Sequence, residues 1–168
     1  MPRFALICGL FTALTFIGVA PLTQAQDTAP PPQENTVQSL SNQEIIALTY
    51  EGKDSSENAV NLQRYLADDV VWTEAAGFPY AGTYVGFSNI AKVFQQLETE
   101  WTDYRFTVEG YVASGDKVMA YGTYTGTFKE TGKAFRARVS HLWTLKDQTI
   151  IGFEQFVDSQ PVNDAMQP

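Results

Sequence analysis

Apolar residues recur along this chain in three rhythms, and each rhythm predicts a different element. From Phe4 to Ala20 the run is nearly unbroken. Between residues 41 and 101 the spacing is helical. Ser41-Asn42-Gln43-Glu44 fits a capping box ahead of Ile45 and Leu48, with Gly52 closing the helix. A second helix is predicted from about Ser56 to Leu66, with Ala59, Leu62 and Leu66 on one face. The third starts at Ser88 as cap and carries an apolar stripe of Ile90, Val93, Phe94, Leu97 and Trp101, expected to be buried.

From Tyr104 onward the rhythm changes to period two. Tyr104–Ala113, Lys117–Phe128, Ala134–Leu145 and Thr149–Asp158 are rich in β-branched and aromatic residues and are separated by turn signals. A shorter strand, Val70 to Glu74, precedes a Gly/Pro-punctuated loop from Ala75 to Gly86. Long strands joined by short turns bend strongly, and three helices can cover only one face of them. The fold class expected is α+β, with three N-terminal helices packed on a strongly curved antiparallel sheet that encloses a pocket.

Alternation then assigns side chains to that pocket. Phe135, Ala137, Val139, His141, Trp143 and Leu145 share a face; so do Trp72 and Glu74, and so do Ile151, Phe153, Gln155 and Val157. Tyr124 lies on the corresponding face of its strand. A few polar groups set into an aromatic lining are the usual makeup of a small-molecule site. The same groups have ordinary structural uses. A core histidine can be hydrogen-bonded filler, and Gln155 can satisfy a backbone group.

Composition narrows the chemistry. His141 is the only histidine and Cys8 the only cysteine, so no metal cluster can be assembled, and neither a metal nor a cofactor is expected. There is no phosphate-binding glycine loop and no Ser/His/Asp arrangement. The net charge of −8 and pI of about 4.5 argue against nucleic acid and anionic lipid as partners.

Arg3 before the apolar run, Pro21 after it, and Thr23-Gln24-Ala25 read as a signal peptide over residues 1–25, cleaved near Ala25/Gln26. The expected location is therefore secreted or periplasmic, with no stable membrane insertion. Residues 26–38, with Ala29-Pro30-Pro31-Pro32, read as a disordered Pro-rich spacer. The domain is expected over 39–159, and a loose tail over 160–168.

The run Tyr65-Leu66-Ala67-Asp68-Asp69-Val70-Val71-Trp72-Thr73-Glu74, followed by Phe78 to Gly86, resembles the SnoaL-like branch of the nuclear-transport-factor-2-like superfamily, to which ketosteroid isomerase is related. So do Gly132 to Phe135, His141-Leu142-Trp143 and Phe153 to Asp158. The resemblance implies a cone-shaped cavity and a homodimer through the outer sheet face, where Tyr121, Thr123 and Thr125 lie. It implies a small apolar or aromatic ligand lined by Trp72, Tyr80, Tyr124, Trp143 and Gln155, with Tyr80 at the mouth. Glu74 falls where ketosteroid isomerase carries its base and His141 near its oxyanion donor. Ile45 takes the place of that enzyme's helix-borne tyrosine. Two functions follow: proton transfer of an isomerase, cyclase or lyase kind by Glu74 and His141, or a non-catalytic binding or accessory module.

Overall fold

A computed structural model describes residues 39–168. The leader and spacer expected over residues 1–38 lie outside the described residues. Helices α1 (Asn42–Leu48) and α2 (Ser55–Tyr65) lead into strand β1 (Leu66–Glu74) and a short β2 (Gly82–Val85). Helix α3 (Phe87–Glu100) follows, then the long strands β3 (Trp101–Ser114), β4 (Lys117–Phe128), β5 (Ala134–Lys146) and β6 (Thr149–Val157), and finally α4 (Ser159–Met166). The six strands form one sheet in the order β2-β1-β6-β5-β4-β3.

Local chemistry explains most boundaries. The Ser41 hydroxyl accepts the Glu44 N–H at 3.2 Å and the Glu44 carboxylate accepts the Ser41 N–H at 2.7 Å, the reciprocal cap that the sequence predicts. Asp54 caps α2 by accepting the Glu57 N–H. Helix α3 begins two residues earlier than expected, because Gly86 rather than Ser88 is its N-cap. Gly86 has φ of 77°, and a Cβ there would sit 2.9 Å from the Asp68 carbonyl oxygen, so only glycine fits. Trp101 does not extend α3. It is extended, at φ −116° and ψ 151°, and opens β3.

The four long strands are antiparallel neighbours, as expected, but β1 joins the sheet by pairing parallel to β6. The predicted loop after β1 also contains β2, which pairs antiparallel with β1. An irregularity between Thr144 and Leu145 shifts the β5–β6 register. As a result Ile150 is buried and Ile151, expected inside, faces out.

The interior holds two apolar clusters. One gathers Ile45, Ile46, Leu62, Trp72, Ile90, Trp143 and Phe153 between the helices and one half of the sheet. The other contains Phe78, Tyr80, Trp101, Tyr124, Phe135 and Val139, and it also takes Val162 and Ala165 from α4. The loose tail expected over 160–168 is therefore corrected: most of it is a helix whose apolar side chains are buried. Phe94 is a second correction. Ile90, Val93 and Trp101 are buried, but Phe94 remains 37% exposed.

Candidate functional site

Strand register builds the site in rows. Trp72 on β1 lies beside Phe153 on β6, Phe153 pairs with Trp143 on β5, and Trp143 pairs with Val118 on β4. One pleat further on, Gln155 pairs with His141 and His141 with Ala120, and Glu74 stands at the same step of β1. Beyond these, Val157 pairs with Val139 and Val139 with Gly122. A row containing Glu74, Gln155 and His141 thus crosses the sheet between two apolar rows, at the border of the two core clusters.

Small residues beside His141 shape this border. A Cβ on Gly122 would overlap the Thr107 carbonyl oxygen and lie 3.0 Å from the Phe106 ring. Glycine there lets Phe106 of β3 fold over β4, and its ring centroid lies 4.6 Å from that of His141. Trp72 stacks on Phe153 at 3.7 Å and 15°, while Trp143 meets Trp72 nearly edge-on at 5.5 Å and 82°.

His141 is held at both nitrogens. The Tyr50 hydroxyl lies 2.6 Å from Nδ1 and the Tyr124 hydroxyl 2.6 Å from Nε2. Trp143 Nε1–H donates to the Tyr50 oxygen at 3.0 Å, and Gln155 Nε2–H donates to the Tyr124 oxygen at 3.3 Å. Gln155 in turn accepts the Ala75 N–H through Oε1. Burial pushes the imidazole down to about 3, so the ring is neutral at ordinary pH, with one nitrogen donating and the other accepting.

Glu74 is buried as well. Trp72 Nε1–H donates to its Oε1 at 2.7 Å, and its Oε2 has no hydrogen-bond partner among the described residues. Burial raises this carboxyl to about 7, and the indole N–H opposes the rise. Tyr50 and Tyr124 are pushed up by burial and stay protonated.

A cavity of about 630 Å³ opens between α2, α3 and the sheet. Tyr50, Trp72, His141 and Trp143 line its inner end, and Phe94, Trp101 and Tyr104 line its sides. Exposed Glu98 and Asp103 border its mouth. The seven residues read from the sequence are therefore distributed rather than convergent. Trp72, His141 and Trp143 reach the cavity. Tyr124 and Gln155 sit behind His141 and touch it or each other by hydrogen bonds, and Glu74 is bonded to Trp72 without lining the cavity. Tyr80 is not at the mouth: it is buried, donating to Glu100 at 2.5 Å and accepting from Trp101 Nε1–H at 2.6 Å.

Tyr50 is the residue that the sequence reading missed. Ile45, given the place of the helix-borne tyrosine, is fully buried in the core, while Tyr50 just past α1 supplies the hydroxyl. Among the described residues, no three His, Cys, Asp or Glu side chains are grouped to hold a metal ion.

A bent sheet with helices over one face and a polar-floored aromatic pocket defines a nuclear-transport-factor-2-like protein. Residues 55–153 match the SnoaL-like domain, more than half of the chain, and the protein belongs to that family. A comparison with curated proteins found no match. An NTF2-like protein from Burkholderia thailandensis is 38% identical, with 77% of this chain and all of that one covered at a TM-score of 0.73. A putative SnoaL-like polyketide cyclase from Mesorhizobium loti is 24% identical, with 70% and 99% covered at a TM-score of 0.60. TerC, crystallised with polyporic acid, is 22% identical, with 76% and 98% covered at a TM-score of 0.66. These last two share the fold with this chain.

Proposed function

We propose that the protein binds a small, largely apolar or aromatic molecule in the 630 Å³ cavity, and that an acceptor oxygen of this ligand is held by Tyr50. The size fits a compact organic ligand. The observation that carries the reading is the hydrogen-bond chain through neutral His141. With the ring proton on Nδ1, His141 donates to the Tyr50 oxygen, which also accepts from Trp143. The Tyr50 proton is then free to point into the cavity. Tyr124 donates to Nε2 and accepts from Gln155, so it is satisfied without a ligand. With the proton on Nε2, Tyr50 spends its proton on the ring and has none left for a ligand. A neutral acceptor such as a carbonyl oxygen in the cavity selects the first tautomer. TerC, with polyporic acid, is a precedent for an aromatic ligand in this fold.

The test is ligand capture by native mass spectrometry, followed by titration of the captured compound into wild type and Tyr50→Phe. Loss of one hydrogen bond at a buried acceptor predicts an affinity loss of about tenfold. Unchanged affinity in the variant would remove Tyr50 from the site.

A second reading, proton transfer with Glu74 as base and His141 as the neutral donor, is favoured by one observation. A carboxyl at about 7 with an unpartnered oxygen can take and return a proton near neutrality once a substrate reaches it past Trp72, which lines the cavity where Glu74 does not. Deuterium exchange into simple enolisable ketones, fast with wild type and absent with Glu74→Gln, is the expected result under this reading. Equal exchange in both proteins favours binding alone. Export through the 1–25 leader, with protein beginning near Gln26 by intact mass, and a dimer through the outer face around Tyr121 complete the proposal.

A further inference from the structure

The outer half of the cavity carries chemistry that the Tyr50–His141 pair does not use. Both charged residues on its wall are acidic: Glu98 near the C-terminal end of α3 and Asp103 near the start of β3. Among the described residues, no lysine or arginine lines the cavity. The Lys129 ammonium lies off the wall, on the Glu98 and Thr99 backbone carbonyls at 2.7 and 2.9 Å, where it offsets the negative end of the α3 dipole and leaves the two carboxylates as the wall's charge.

Asp103 is delivered to the mouth by an irregular backbone. It has φ of 55°, in the left-handed region, and lies within the register shift between Thr102 and Arg105. Bulges of this kind re-aim a side chain, and Asp is among the few residues other than glycine that tolerate the conformation. Along the cavity wall, aromatic rings stand at steep angles to one another. Phe94 meets Trp72 at 85° with centroids 5.6 Å apart, and Tyr104 meets Trp101 at 62° and 6.0 Å. Rings so arranged offer a guest more than one π-face. Trp101 is a buried wall residue with its N–H occupied by Tyr80, so the partly exposed Phe94 and Tyr104 rings are the ones a guest meets. π-faces and carboxylates both attract a cation and both repel an anion.

We propose that this outer half takes an organic ammonium group, so that the ligand is a small amine or quaternary ammonium with an apolar body, and that carboxylate-bearing compounds are excluded. The proposal rests on the reading of the cavity as a ligand site. It places the cation between Asp103, Glu98 and the aromatic sides, and the apolar body toward Trp72 and Trp143.

Phenyltrimethylammonium and tert-butylbenzene have nearly the same shape and differ in charge, so their comparison isolates the effect. Both are titrated into the protein at low salt by tryptophan fluorescence, with benzoate as the anionic control. The ammonium is expected to bind about tenfold tighter than its neutral counterpart, and benzoate not to bind. Asp103→Asn keeps a residue suited to the left-handed backbone while removing the charge. It is expected to weaken the ammonium about threefold to tenfold and leave tert-butylbenzene unchanged. The proposal is overturned if tert-butylbenzene or benzoate binds as tightly as the ammonium, or if Asp103→Asn weakens both phenyl compounds alike. If none of the three binds, this proposal falls, whereas the cavity reading falls only if Tyr50→Phe leaves the affinity of the captured ligand unchanged. That failure is distinct from one in which the neutral compound binds and the cation does not.

Discussion

Glu74→Gln should change how stability depends on pH, by an amount that follows from the carboxyl's burial. In the native protein Glu74 titrates at about 7 instead of its ordinary 4.5, because burial disfavours the charged form. Below pH 4.5 the carboxyl is protonated in native and unfolded chains alike. As pH rises toward 7 the unfolded chain releases the proton and the native protein keeps it, so folding loses about 1.4 kcal/mol per pH unit. The accumulated loss is about 3 kcal/mol, complete above pH 7. His141 has the opposite slope. Its ring stays neutral in the fold down to about 3, while the unfolded chain takes up a proton below 6.5, so stability falls as pH falls through that range. Between 4.5 and 6.5 the two slopes oppose each other, and these two groups leave wild-type stability nearly level. Glutamine can still accept the Trp72 N–H but cannot titrate. The variant should therefore gain on wild type by about 3 kcal/mol between pH 4.5 and 7, whatever constant offset the amide introduces. Urea unfolding at half-unit steps of pH measures this directly. Wild-type and variant stabilities that run parallel across the range would refute the buried, uncharged Glu74.

Two packing predictions separate neighbouring residues. Ile90→Ala should cost about 2–5 kcal/mol in urea unfolding, whereas Phe94→Ala should cost about 1 kcal/mol or less, since Phe94 borders an open cavity and is already partly exposed. Deleting residues 159–168 should destabilise the domain by about 2–4 kcal/mol, through loss of buried Val162 and Ala165 and of the Thr131–Ala165 and Asn163–Gly77 hydrogen bonds. An unchanged thermal midpoint would mean that α4 does not pack.

The parts of this fold legible in the sequence are those governed by short-range rules. The Ser41–Glu44 box, the α3 periodicity and the alternation on β5 each depend on residues within one or two turns or pleats of each other, and the SnoaL-like resemblance set them in order. What escaped depends on register between distant segments. Ile151 lies outside because of a slip opposite Thr144 and Leu145, and β1 runs parallel to β6 because the chain crosses the sheet between them. Neither fact has a local signature. α4 escaped because Ser159 to Met166 contains a proline and polar residues, and only contact with the Tyr80 and Phe135 cluster makes its two apolar positions matter. The site divides along the same line. Alternation found Trp72, His141 and Trp143 on the cavity wall, and it rightly put Glu74 and Gln155 on the inner face. It could not find Tyr50, which lies beyond the helix end in a turn. Nor could it find Asp103, which lies before the strand expected from Tyr104 and sits within a register shift on the cavity wall. Both reach the cavity from breaks in regular structure, where the backbone is free to aim a side chain and periodicity has nothing to say.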